Sequence, residues 1–179
     1  MTAFETLDWR VADGICRLTF NRPEKRNALD TAMRREFAVA LQQAKDDPEV
    51  RVLLLSGAGG NFSAGGDLAA LRAAAAAGPL AIRERLADTH AWMLGLMNFP
   101  KPVVAAVDGA AFGGGLMFAL AADCVIATDR ARFCCVFTRT GLVPDLGGFW
   151  LLPRILGLHR AKDIALTGRS FGSEEARRM

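Results

Sequence analysis

Cysteine and histidine are both scarce in this sequence, and neither is spaced for chemistry. The four cysteines are Cys16, Cys124, Cys134 and Cys135. Two are adjacent and none shows CxxC spacing, which argues against a disulfide framework and a zinc site and predicts small buried hydrophobes. The two histidines, His90 inside an expected helix and His159 beyond another, have no metal-like spacing and read as ordinary surface or packing residues. A GxxxxGK phosphate loop is missing, as is a GxGxxG turn after a first strand, so nucleotide hydrolysis and dinucleotide redox have no support. Charge of one sign is not concentrated either. The formal charge is +3, with basic residues scattered along the chain rather than gathered into the stripe of a nucleic-acid binder. That balance suits an anionic small molecule. Met1 to Arg10 includes acidic residues and no apolar run, so neither a secretory signal nor a membrane span is expected there, and the expected compartment is the cytoplasm.

What is present, 51% hydrophobic and 23% charged content over 179 residues, fits a soluble globular protein with a sizeable core. With no repeat at a fixed period, no low-complexity linker and no internal boundary, residues 1–179 read as one domain. Phe4 to Arg10 and Gly14 to Phe20 are strand-like runs flanking Val11, Ala12 and the turn-forming Asp13-Gly14, which predicts an N-terminal hairpin. Asp30 is placed to cap a helix to about Lys45, with Met33, Phe37, Ala40, Leu41 and Ala44 on one face and Pro48 beyond its end. Val50 to Leu55, Pro102 to Val107 and Cys124 to Ala127 are short apolar runs expected as strands, and Arg132 to Phe137 adds another. Asp67 to Ala77, Leu80 to Met97, Gly113 to Ala122, Gly147 to Leu156 and Ala161 to Thr167 read as helices, the first two parted by Gly78-Pro79. Met93, Leu96 and Met97 make an apolar stripe suited to the core. Such alternation predicts an α/β fold with a parallel sheet and crossover helices.

Two glycine loops lead from strand to helix: Phe62-Ser63-Ala64-Gly65-Gly66-Asp67-Leu68, and Val107-Asp108-Gly109-Ala110-Ala111-Phe112-Gly113-Gly114-Gly115. Glycine permits unusual dihedrals and close approach of a ligand, and a helix N-terminus offers unpaired NH groups with a favourable dipole. Chemistry at the carbon beside a thioester needs such donors, because negative charge collects on the carbonyl oxygen as the enolate forms. Either loop alone is a common turn. Ser63 lacks the first glycine of a nucleophile elbow, which argues against a serine hydrolase.

Together the loops resemble those of the crotonase superfamily, the enoyl-CoA hydratase/isomerase family. Flanking matches are Asn21-Arg22-Pro23 with Asn27-Ala28-Leu29, Lys101 to Val107, Ala121-Ala122-Asp123-Cys124, Gly141-Leu142-Val143-Pro144 with Gly147-Gly148, and Leu166-Thr167-Gly168-Arg169. The resemblance covers Phe4 to Met179. It implies a crotonase-like spiral of ββα turns, with parallel sheets and surrounding helices. It also implies an acyl-CoA thioester as partner, with coenzyme A part of the substrate and no separate cofactor, metal, nucleic acid or membrane. Carried over by position, the NH groups of Gly66 and Gly114 form the oxyanion hole, and the Ala64 carbonyl meets the adenine. Asp67 and Leu68 line the pantetheine and nucleotide path. Lys25 or Arg26 meets a CoA phosphate, with a solvated basic turn as the alternative for those two. The family continues past a helix like that beginning at Ser173 into C-terminal helices that cover the acyl pocket and build homotrimers or dimers of trimers. This sequence stops at Met179, before that helical part, so the fold of these residues is expected to lack it, whether it is lost from the protein or follows in a longer chain.

Hydratases of the family use two glutamates, whose positions Met117 and Phe137 hold here. Neither side chain can hold water or move a proton, so both are expected to line the acyl site and hydration is disfavoured. Asp145, in Pro144-Asp145-Leu146-Gly147-Gly148, stands where typical hydratases have glycine. Dienoyl-CoA isomerases and ring-type isomerases carry their catalytic carboxylate there, so the resemblance implies a base at Asp145. Desolvation beside Met117 and Phe137 would raise its pKa, which suits a group that takes and returns one proton. A cap for the helix from Gly147 is the competing reading. Capping is expected to explain Asp67 and Asp108, and a structural role Asp123. The expected reaction is a double-bond shift in an unsaturated acyl-CoA. Hydration and non-catalytic acyl-CoA binding are the alternatives.

Overall fold

The computed structural model describes residues 4–179; Met1, Thr2 and Ala3, and the part of the N-terminal reading that rests on them, lie outside the described residues. The strands are β1 (Leu7–Ala12), β2 (Ile15–Phe20), β3 (Val52–Gly57), β4 (Val103–Val107), β5 (Ala110–Phe112), β6 (Cys124–Ala127), β7 (Arg132–Cys134) and β8 (Ser170–Gly172). The helices are α1 (Thr31–Asp46), α2 (Leu68–Ala76), α3 (Pro79–Met97), α4 (Gly114–Ala121), α5 (Gly148–Leu156), α6 (Leu158–Thr167) and α7 (Ser173–Arg178). No helix among them is long and apolar enough to cross a membrane.

The expected hairpin pairs Leu7 with Phe20 and Ala12 with Ile15. Val11 and Ala12 belong to the strand rather than to the turn. Asp13 and Gly14 alone, at φ 55 and 79, make the two-residue connection whose left-handed residues match the strand twist. Asp30 caps α1 by accepting from the Met33 NH at 2.8 Å, and the buried face is the expected one.

A five-stranded sheet runs β1-β2-β3-β4-β6, parallel except for the hairpin, and a three-stranded sheet runs β5-β7-β8. Each turn of the chain adds one strand to each sheet and then a helix: β4, β5 and α4, followed by β6, β7 and α5. The first turn does the same with β3, the isolated parallel bridge of Ser63 to Ala111, and α2. This is the ββα spiral, without the strand-order reversal of a Rossmann sheet. Its consequence is functional: both glycine loops end up side by side, at the helix ends of neighbouring turns.

An aromatic cluster fixes the second loop's helix. Trp92 stacks on Phe118 at 4.9 Å between centroids, and Phe37 meets both rings edge-on, which ties α1, α3 and α4 together. Such pairs add about 0.5–1.5 kcal/mol each beyond burial.

Three expectations need correction. The strand expected over Arg132 to Phe137 ends at Cys134 and gives way to a 3-10 turn at Val136–Thr140. Three-residue β5 and β8 were not foreseen, since so short a run shows no alternation and exists only through its neighbours. Cys124 is exposed, because all of β6 is the open edge of the sheet. Cys16, Cys134 and Cys135 are buried as expected, and burial pushes the Cys16 thiol up to about 12 and that of Cys135 to about 11, which keeps both unreactive.

Candidate active site

The first glycine loop is moulded on the segment that precedes α1. Asn27 is fully buried at φ 56, a left-handed conformation that asparagine tolerates. Its amide donates to the carbonyls of Ala58 (2.9 Å) and Asn61 (2.7 Å), and its Oδ1 accepts from the Arg22 NH at 2.9 Å. Its carbonyl takes the Ser63 hydroxyl at 2.8 Å, and Ser63 Oγ accepts from the Gly65 NH at 3.2 Å. The serine is therefore spent on the loop's shape. Leu29 NH donates to the Gly65 carbonyl at 2.7 Å and Asp67 NH to the Leu29 carbonyl at 3.2 Å. The intervening Gly66 NH has no acceptor among the described residues.

Asp67 then caps α2, accepting from Ala69 and Ala70 NH at 2.9 and 3.2 Å. It shares Arg22 with Asp30, at 3.3 and 3.2 Å. Burial alone would raise its carboxyl, but the NH groups and Arg22 outweigh that and hold it below the usual range.

The second loop turns through Gly113, whose NH donates to the Cys134 carbonyl at 2.9 Å, and opens α4 at Gly114. Gly114 is buried, yet its NH, the first of the helix, has no acceptor among the described residues. The two loops touch. A Cβ on Gly65, at φ 89, would stand 2.6 Å from the Phe112 carbonyl oxygen, and one on Gly115 would stand 2.3 Å from that of Ser63. Only glycine permits this approach. Two unpaired backbone donors, Gly66 and Gly114, therefore lie in adjoining loops.

The turn that carries Asp145 comes up against the second glycine loop. Leu146 (φ 51) and Gly147 (φ 80) are both left-handed, and this turn puts Leu146 Cδ1 2.9 Å from where a Gly114 Cβ would be. Helix α5 is capped by Gly147 with no side-chain bond, and Asp145 contributes only its carbonyl, to Gly148 NH at 2.8 Å. The side chain does not cap. It is half-buried, and apart from its own NH it has no hydrogen bond or ion pair among the described residues. Burial pushes its carboxyl above the usual range, while His90 and Arg85, facing it from α3, and its own NH pull the other way without prevailing.

Phe137 and Met117 pack around this region as hydrocarbon. The Phe137 ring lies 3.9 Å from a Cβ position on Gly113, and Met117 Sδ lies 3.1 Å from one on Gly148. Met117 is wholly enclosed, so it presents no open wall. Ala64 is half-buried and its carbonyl has no donor among the described residues. Leu68 is exposed. Lys25 and Arg26 sit exposed on and just after the 3-10 turn Pro23–Lys25, with no ion pair among the described residues. They lie on the strand of chain whose Arg26 carbonyl accepts the Ala64 NH at 2.9 Å.

Two carboxylates need comment. Asp108 is not a cap: its carboxylate takes Thr128 Oγ1 at 2.6 Å and pairs with Arg130. Asp123 is structural, accepting the Val103 NH at 2.7 Å. Among the described residues no group of three His, Cys, Asp or Glu is placed to hold a metal ion. Sequence reasoning passed over Arg85, read His90 as an ordinary surface or packing residue, and saw Arg22 and Asn27 only as parts of a motif. Only Asn27 carried a usable signal, an asparagine in a turn-rich run.

The chain matches the family model described as enoyl-CoA hydratase/isomerase over residues 10–179. A relative from Rhodobacter capsulatus named "Probable enoyl-CoA hydratase" is 42% identical over 178 residues, 99% of this chain and 67% of the relative. The 1,2-epoxyphenylacetyl-CoA isomerase of Escherichia coli is 40% identical over 168 residues, 93% of this chain and 64% of that one. The crystal structure of an enoyl-CoA hydratase/isomerase from Cupriavidus metallidurans superposes with a TM-score of 0.92 at 39% identity, covering 99% of this chain and 66% of the other. The chain thus spans about two thirds of the length of the curated relatives it matches.

Proposed function

This chain belongs to the enoyl-CoA hydratase/isomerase family, and we propose that within it the protein shifts a double bond in an unsaturated acyl-CoA, with Asp145 as the proton carrier. The observation that carries this reading is the Asp145 carboxylate: half-buried, raised in pKa by that burial, free of any capping duty, and one residue from the side chain that touches Gly114. With a 3-enoyl thioester, the carboxylate takes a proton from C2. The electrons move into the thioester, and the NH groups of Gly66 and Gly114 receive the charge on its oxygen. The protonated acid then returns its proton at C4, leaving a 2-enoyl thioester and the original carboxylate. No atom is gained or lost, and no water enters.

Hydration is the second reading, favoured by the name of the Rhodobacter relative. It requires a group that positions water near the double bond, and the side chains at the two relevant places, Met117 and Phe137, are apolar and buried. The name of the E. coli relative favours isomerisation. Assembly as a homotrimer or a dimer of trimers belongs to the same proposal, supported by the exposed Phe149, Trp150 and Leu166. The experiment is a spectrophotometric assay with 3-enoyl-CoA and 2-enoyl-CoA, on the parent and on Asp145→Asn.

A further inference from the structure

The turn that carries Asp145 is built against the local preference of its residues. The Asp145 carbonyl accepts the Gly148 NH at 2.8 Å, and the two residues between them are both left-handed, Leu146 at φ 51 and Gly147 at φ 80. That is the pattern of a type I′ turn, whose central places favour glycine, asparagine and aspartate. Gly147 suits its place; Leu146 does not. The other left-handed residues with side chains, among the described ones, are the polar Asp13, Arg26 and Asn27. In a bulky apolar residue this conformation presses Cβ against the following carbonyl oxygen. Strain of this kind persists only where the surroundings over-determine it.

What holds Leu146 there is its side chain. It is buried, and its Cδ1 lies 2.9 Å from the Cβ position of Gly114, with Leu29 Cδ1 3.1 Å from the same point. The two leucines fill the space that Gly114 leaves by having no side chain. Leu29 in turn brackets Gly66 with its backbone, through the Gly65 carbonyl and the Asp67 NH. One hydrocarbon contact therefore joins the Asp145 turn to both loops that carry the unpaired donors. Upstream the turn has less to rest on: Gly141, Leu142 and Val143 are exposed and lie outside any helix or strand. Downstream, Met97 Sδ and Met117 Sδ lie 3.6 and 3.1 Å from Cβ positions on Gly147 and Gly148. Those contacts fix the start of α5, and Leu146 fixes the side of the turn that faces the loops.

Resting on the isomerase reading above, we infer that Leu146 is a positioning residue: its side chain, seated on Gly114 beside Leu29, holds the turn that carries Asp145 in register with the two glycine loops. It acts through Asp145 rather than on the substrate. A glycine at 146 would fit the turn better and leave Asp145 without this anchor. Stability and turnover should therefore respond differently to the same substitutions, because the strain sits in the backbone and the positioning in the side chain.

The experiment compares Leu146→Gly, Leu146→Ala and Leu146→Met with the parent. Glycine and alanine both remove the anchor and only glycine relieves the backbone, so Leu146→Ala should melt below Leu146→Gly, the reverse of the usual order. Turnover of a 3-enoyl-CoA should nevertheless fall by a similar factor in both, about 10- to 100-fold for a base displaced by about 1 Å, with KM unchanged. Leu146→Met keeps a hydrocarbon side chain of similar volume and should recover most of the rate. Leu146→Gly and Leu146→Met carry the comparison if the alanine variant does not fold. A second readout needs no turnover: carbon-13 NMR titration of labelled aspartate, with Asp145 identified by the signal that Asp145→Asn loses. Freed from its seat, the Asp145 carboxyl in Leu146→Gly should titrate closer to the ordinary aspartate value than in the parent, where burial raises it. Leu146→Gly and Leu146→Ala proteins that turn over as fast as the parent overturn the inference, as do rate losses that follow the melting order, which mark a merely structural leucine. An Asp145 titration that Leu146→Gly leaves unmoved overturns it too. If the parent isomerises nothing, the isomerase reading fails alone and the titration decides the inference.

Discussion

Gly65 and Gly114 approach so closely that a Cβ on Gly65 would stand 3.2 Å from the Gly114 nitrogen. Parallel bridging of Ser63 to Ala111 enforces the contact, so the spacing of the two donors is a property of the sheets rather than of loop flexibility. Replacing Gly114 with proline removes one donor at the first helical position, where proline is well tolerated. Gly114→Ala is the control: it keeps the NH, and its Cβ presses on the methyl ends of Leu146 and Leu29, at 2.9 and 3.1 Å, with the Gly65 Cα at an ordinary 3.8 Å. Turnover of the proline variant should be about 100-fold or more below that of the alanine variant, read by steady-state kinetics with melting curves alongside.

Asn27 should matter as much for stability as any core apolar residue. Asn27→Ala strips donors from the Ala58 and Asn61 carbonyls, at about 1–3 kcal/mol for each group left without a partner. Denaturant unfolding should show the midpoint shifted down with an unchanged slope.

Burial raises Asp145 above its unfolded value, so the sign of its linkage is fixed. The proton is held more tightly in the folded state, and the contribution to stability is present below the unfolded pKa and lost as pH rises through the folded one. Asp145→Asn does not titrate. The difference in melting temperature, variant minus parent, should therefore grow more positive from acid to neutral pH. A flat difference would mean the carboxyl is not desolvated.

Much of this was legible beforehand. The Asp30 cap and the α1 stripe follow from a side-chain oxygen and a 3.6-residue period, both local properties. The pairing of the glycine loops was legible only through family resemblance, because the contact of Gly65 with Phe112 and Gly114 is made across turns of the spiral. Arg85 went unremarked, and His90 was read as an ordinary surface or packing residue, for a related reason. Nothing along α3 marks them, and their meaning comes from facing Asp145, which lies more than fifty residues away in the chain. Asp108 misled because a carboxylate at a loop boundary looks like a cap, whereas its partners Thr128 and Arg130 arrive from the next turn.

The most direct test of the central claim is the rate of 3-enoyl-CoA isomerisation by the Asp145→Asn protein beside the parent, with 2-enoyl-CoA hydration followed in the same preparations. Asparagine keeps the size of the side chain and removes the base, and no cap is lost because α5 takes none from this side chain. Isomerisation should fall by roughly two to four orders of magnitude while the fold survives, and parental hydration should be slow by comparison. An Asp145→Asn protein that isomerises as well as the parent, or a parent that hydrates 2-enoyl-CoA efficiently, would contradict the account.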